Sequence, residues 1–270
     1  MNAPDFLAIG HATRDLIPGG WTLGGGVVFA AQAAYALGRR PAIVTSGDVR
    51  DLLGQIPGLM KVRPARTTAF ENVYTSAGRR QTIHQRADDL TIDDVPPAWR
   101  AAPVVLLVPL CGEFAPALAD CFDRSLVVAC AQGWLRTWDD DGRVSARPLP
   151  DDLAFSPRVV VTASFEDLGR DDEAVAALSR RCRVLAITRG PAGASLFQDG
   201  VETPIAPLAV FERSPTGAGD IFAATFAIRL AETDDPVEAA RFANVAAAIA
   251  VAGEGMPRRS AIAARRAEVR

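Results

Sequence analysis

Six apolar runs punctuate the chain without the alternation of a half-exposed strand: FLAIG (6–10), PAIVTS (41–46), VVLLVPL (104–110), SLVVACA (125–131), RVVVTA (158–163) and RVLAITRG (183–190). Short continuous runs of Val, Ile and Leu predict strands covered on both faces. Between them lie alanine-rich stretches with helical spacing, at 27–38, 113–123, 171–182, 219–231 and 236–253. Strand alternating with helix predicts an α/β architecture around a mainly parallel sheet flanked by helices. Residues 11–23 and 67–86 break the rhythm. They alternate like exposed strands, with turn glycines at Gly19, Gly20 and Gly78, and predict a small β flap, or lid, on the α/β body. The charged stretch TWDDDGRV (137–144) reads as a solvated loop. With no internal repeat or linker, residues 1–270 read as one domain.

Composition narrows the function classes. Over 270 residues, 49% are hydrophobic and 23% charged, as in an ordinary soluble globular protein. The net charge is −3 with no basic stripe, so a nucleic-acid partner is not expected. Lys61 is the only lysine, so any lysine-dependent chemistry would rest on it alone. Cys111, Cys121, Cys130 and Cys182 form no C-x-x-C pair, which argues against structural zinc and against a disulfide framework. Cys121 and Cys130 read as small buried hydrophobes. The N-terminal stretch carries an acid where a secretory signal needs positive charge, and no apolar run approaches a membrane span. The expected location is cytoplasmic, without membrane partners.

The strongest chemical signal is RSPTGAGDIFAATF at 213–226. Gly217, Ala218 and Gly219 open a predicted helix at the carboxyl side of the sheet, where backbone N–H groups and the helix dipole favour an anion. Small residues let a phosphate approach, and Asp220 in the same turn would accept a proton from an attacking hydroxyl. A helix-capping role for Asp220 competes with this reading. Other phosphate motifs fail on spelling. No glycine-rich loop precedes Lys61 in Walker A spacing, and GAGDIF and GGGVVF place Phe222 and Phe29 where a dinucleotide fingerprint needs its third glycine.

SPTGAGDIFAATF resembles the C-terminal signature of the ribokinase-like (PfkB) carbohydrate kinases. LGGGVVFAAQAAYALG (23–38), ASFEDL (163–168), TRGPAG (188–193) and ANVAAAIAVAGEG (243–255) resemble further landmarks of that family, in order along the chain. The resemblance implies a ribokinase-like fold and ATP- and Mg2+-dependent phosphoryl transfer. Asp220 would be the general base, with Gly217, Ala218 and Gly219 as the anion hole. Glu166 would organise magnesium through waters; Thr188, Gly190 and Gly193 would form the nucleotide turn, with Asn244 near the adenine. Three positions depart from the family. Ala163 replaces an asparagine of the metal-water network. Ser214 replaces a signature acid, which weighs against a monovalent-cation site. Phe29 replaces a sugar-binding asparagine.

The opening segment resembles the inositol-kinase-like branch, in which an aromatic takes that asparagine's place. By that resemblance the acceptor is a small polyol, a cyclitol such as myo-inositol. Asp15, Gly24, Gly25 and Phe29 would meet it, and Asn72, Arg80 and Gln132 are further candidates on the same side. Alternatives are a kinase for another sugar or a nucleoside, or a catalytically silent nucleotide or polyol sensor. Two copies are expected to pair through the lid.

Overall fold

The structure is a computed structural model that describes residues 3–48, 58–75 and 78–267. Among these, the main sheet has nine strands in the order β15-β14-β13-β12-β9-β8-β1-β4-β5. Its parallel part comprises β1 (Phe6–Ile9), β4 (Pro41–Ser46), β5 (Leu59–Arg63), β8 (Val104–Leu107), β9 (Leu126–Cys130), β12 (Val160–Ser164) and β13 (Val184–Thr188). β14 (Ala194–Gln198) and β15 (Val201–Ile205) extend it antiparallel. The lack of alternation in the strand sequences follows from this arrangement. Phe6 and Ala8 face a core shared with α1 (Gly26–Ala36), α3 (Ala218–Thr233), α4 (Pro236–Val251) and α5 (Arg259–Arg266), while Leu7 and Ile9 face a second core on the opposite side. Both faces of the sheet are covered, so β1 is apolar at every position.

The flap is a four-stranded sheet, β3-β2-β6-β7, built from β2 (Thr13–Ile17), β3 (Gly20–Gly24), β6 (Thr68–Thr75) and β7 (Gly78–Gln85). Its two hairpins join through a parallel β2–β6 pairing. Gly78 closes the β6–β7 ladder opposite Thr75, and the turn between them lies outside the described residues. α2 (Asp172–Ser179) completes the second face, its first turn capped by Asp171, whose side chain accepts from the Glu173 N–H. No helix among the described residues is long and apolar enough to cross a membrane.

Three expectations are corrected. The helix predicted at 113–123 is only a 3-10 turn at Pro116–Cys121: Pro116 stands at its first position and supplies no N–H to continue an α-helix backwards. Within the predicted loop 137–144, the flanks pair instead as β10 (Arg136–Trp138) and β11 (Val144–Ala146), leaving 139–143 as the turn. Cys121 is exposed, whereas Cys130 is buried as read, because Cys121 ends the 3-10 turn beyond its buried Leu118 and Ala119.

Candidate active site

The parallel strands all end on one edge, and the sequence motifs meet there. α3 begins at Ala218, with Gly217 before it in a left-handed conformation (φ 81°). A side chain at Gly217 would meet the Phe29 ring at 2.5 Å, so the ring lies against the glycine turn. From the other direction comes the glycine run that leads from β3 into α1. A Cβ on Gly24 would lie 2.4 Å from Asp15 Oδ2, and one on Gly26 would lie 2.2 Å from Val108 Cγ1 and 2.6 Å from Asp220 Oδ1. Gly25, with φ 97°, passes equally close to the His11 carbonyl. Gly26 thus lets the N-terminus of α1 press against the first turn of α3, while Gly24 and Gly25 let the same run pass close to β2 and the segment before it. The fold brings Asp15, Gly24, Gly25, Phe29, Gly217 and Asp220 into one chain of contacts, which local sequence alone did not require.

Asp220 is half-buried, and its charge reaches the interior. The Cys130 thiol is pushed up to about 12, first by its burial and next by the Asp220 carboxylate, with Asp167 contributing further. The anion-hole expectation needs one change. The Ala218 N–H is already turned to the Pro215 carbonyl at 3.2 Å, because the turn closes on itself before the helix starts. The first-turn amides of Gly219 and Asp220, together with the helix dipole, are the donors that this end of α3 offers by position.

The nucleotide-side landmarks lie beside it. Ser164 and Thr188 are paired at the ends of β12 and β13, and the Phe165 N–H donates to the Thr188 carbonyl at 2.9 Å. Gly190 (φ 56°) and Gly193 (φ 89°) bracket the following turn, and Gly193 also allows the Ile205 carbonyl to approach. Glu166 sits on the neighbouring turn, its side chain 66% exposed and 2.7 Å from Arg170. An exposed carboxylate with room for a water shell suits magnesium, which keeps several waters and needs few protein ligands. The Asn244 amide donates to the Ala206 carbonyl at 2.8 Å and so tethers the segment that runs from β15 to the glycine turn.

On the flap, Asp15 is half-buried and accepts from the Thr13 hydroxyl at 2.8 Å. Asn72 accepts from Gln81 Nε2 at 3.0 Å. Arg80 is exposed on β7, and Gln132 is half-buried in the turn after β9. Two residues absent from the sequence reading stand among them. Arg136 reaches both Gln81 and Asp167, each at 3.2 Å, and the Arg136–Asp167 pair is nearly buried. The only local signal for Asp167 is its place beside Glu166.

At the base of the flap, ligand-type atoms of His11, Cys111 and Glu113 lie within 4.8 Å of one another. The Glu113 carboxylate and the His11 ring are already engaged. Glu113 accepts backbone N–H bonds from His11, Leu110 and Cys111. The His11 ring bonds the Thr68 hydroxyl at 2.8 Å and the Asp88 carbonyl at 3.0 Å. This cluster is a clamp that pins both flap hairpins to the body.

Residues 161–258 match the family described as pfkB family carbohydrate kinase. An inositol 3-kinase of Zea mays is 35% identical over 157 residues, covering 56% of this chain and 41% of that protein. The matched stretch therefore spans about two-fifths of that relative's length. Among solved structures, a pyrophosphate-dependent kinase in the ribokinase family, complexed with a pyrophosphate analog and myo-inositol, superposes with a TM-score of 0.79 at 22% identity, covering 96% of this chain and 99% of that one. The ribokinase of Arabidopsis thaliana complexed with ribose and ATP superposes with a TM-score of 0.71 at 20% identity, covering 98% and 99%. Family match and superposition agree with the site's geometry: residues 161–258 match the PfkB carbohydrate-kinase family, and the chain has a ribokinase-like fold.

Proposed function

We propose that the protein transfers the γ-phosphoryl group of ATP, with magnesium, to a hydroxyl of a small polyol, and that the acceptor is a cyclitol such as myo-inositol. The observation that carries this reading is the position of Asp220. Its carboxylate lies in the first turn of α3, against the glycine run that descends from the flap. A hydroxyl held between Asp15 and Phe29 on one side and the α3 N-terminus on the other would meet the base and the donor's phosphate together. Asp220 takes the proton as the hydroxyl attacks, and the first-turn amides and helix dipole stabilise the charge on the transferred group. Magnesium, when bound near Glu166, neutralises the donor's phosphates. Thr188, Gly190 and Gly193 shape the turn that receives the nucleotide. The flap excludes water, which otherwise competes as nucleophile.

The cyclitol assignment is supported by Phe29, which offers a ring face where ribose- and fructose-type sites offer an amide, and by the similarity to a plant inositol 3-kinase. The face of the flap opposite Asp15 exposes Trp21 beneath the Arg14 guanidinium, and there we place the contact between two copies. Pyrophosphate is the second donor to be tested, because a solved relative of the same fold uses it.

The deciding experiment measures phosphoryl transfer by phosphorus NMR and coupled assay. Myo-inositol, ribose, fructose and adenosine are each paired with Mg-ATP and with Mg-pyrophosphate. The highest kcat/KM is expected for myo-inositol with ATP. A ribose or nucleoside preference would refute the acceptor assignment. Thermal stabilisation by ligands without turnover would make the protein a silent sensor.

A further inference from the structure

A continuous polar chain joins the flap to the turn that carries Glu166. Asn72 on β6 accepts from Gln81 on β7 at 3.0 Å, and Gln81 Oε1 accepts from Arg136 Nη1 at 3.2 Å. Arg136 Nη2 donates to Asp167 Oδ1 at 3.2 Å. Asp167 Oδ2 accepts from the Ser164 hydroxyl at 2.6 Å and from the Ser164 N–H at 3.1 Å, while the Asp167 N–H returns a bond to Ser164 Oγ at 3.0 Å. The central ion pair is 9% and 7% exposed at its two side chains. Burying two charges costs desolvation energy that an apolar pair of similar volume avoids, so such a pair is poorly explained as a stabilising device. What it does supply is a defined geometry between two elements, because a planar guanidinium makes two directed bonds at once.

We propose that Arg136 is a positioning residue that couples closure of the flap over the acceptor to the placement of Glu166. One arm of the guanidinium reads the flap through Gln81 and Asn72. The other holds Asp167, whose carboxylate closes the Ser164–Asp167 turn and is adjacent in the chain to Glu166. An acceptor that shifts Asn72 therefore shifts the metal-side turn, and the donor site is completed when the flap is in place. This proposal rests on the kinase reading above.

The test uses the full chain with Gln81→Leu, which cuts the flap arm and leaves the Arg136–Asp167 pair, and Arg136→Lys, which keeps the charge but loses the fork. Gln81→Asn serves as a conservative check on folding. At saturating acceptor, Gln81→Leu is expected to raise the magnesium concentration for half-maximal activity by about 10- to 100-fold, the usual scale for groups that orient a metal ligand. kcat should fall with it while the melting temperature barely moves. The double variant should be no worse than Arg136→Lys alone, since both cut one chain. An effect confined to acceptor KM, with unchanged magnesium dependence, would overturn the coupling, as would strictly additive losses. A wild type without phosphoryl transfer to any acceptor would instead bring down the kinase reading, and this inference with it.

Discussion

Asparagine has nearly the shape of aspartate and caps a helix about as well, so Asp220→Asn separates a proton acceptor from a helix cap. If the carboxylate takes the hydroxyl proton, turnover should fall by about 10²–10⁴-fold. The melting temperature should stay nearly unchanged, since the glycine contacts around the first turn of α3 keep their shape. Nucleotide affinity should persist or rise, because a negative charge has left the vicinity of the phosphates. The check is kcat, nucleotide affinity and a melting curve on the same sample; turnover within twofold of wild type would mean that another group is the base. Asp220 and Glu166 can be picked out as candidates from the sequence because each sits inside a short motif whose spacing is local. Arg136 cannot, because its partners Asp167 and Gln81 lie 31 and 55 residues away. Its bidentate role exists only once β10 is folded beneath the flap. The bond from the Asn244 amide to Ala206, 38 residues off, is likewise a contact that no helical pattern displays.

The start of α3 depends on two glycines that the sequence presents as equivalent and the structure separates. Gly217 holds φ 81° with the Phe29 ring packed on its open side, whereas Gly219 lies within the helix with nothing inside 4 Å of where a methyl group would stand. Gly217→Ala should cost roughly 1–3 kcal/mol, from left-handed strain together with a clash against a ring. Gly219→Ala should be neutral or stabilising by up to about 1 kcal/mol, since alanine is the better helix former. Denaturant titrations of the two variants decide this, and equal effects would show that the turn is not held as described. The same contrast between local pattern and fold governs the elements generally. The six strand runs and the ends of α1, α3 and α4 are readable, because buried parallel strands show as short continuous apolar runs and the alanine-rich helices between them carry helical spacing. The helix expected at 113–123 cannot begin before Pro116, which lacks the N–H an earlier helical turn would need and which the alanine-rich composition disguises. β14 and β15 escape a sequence reading because an edge hairpin with polar positions carries a weaker signal, with β15 mostly exposed.

Across the whole molecule, the helical layer is bound by an acid–arginine network distant from the site. Glu232 on α3 pairs with Arg39, Arg229 and Arg259, and Glu238 on α4 pairs with Arg229 and Arg266. α5 is short and polar, with Ile262 its only buried residue, so Arg259 and Arg266 fasten it to the body. Burial alone would raise the Glu238 carboxyl, but hydrogen bonds and charge from Arg266 and Arg229 outweigh it and hold the group below its ordinary value of 4.5. Glu232 is lowered in the same way: burial opposes, and Arg259 and Arg39 prevail. A carboxyl whose pKa is depressed by folding contributes stability that is complete above its unfolded value and is lost as pH falls through the folded one. The melting-temperature advantage of wild type over Glu238→Gln should therefore be full at neutral pH. It should begin to shrink below about pH 4.5 and close in stronger acid, where the glutamate is protonated in both folded and unfolded chains. Because each side chain is partly exposed, the advantage should also narrow in high salt. Melting curves of the two proteins across the acid range, at low and high ionic strength, test this. A gap that stays constant with pH would mean that the network holds α5 by packing of the arginine stems and not by charge.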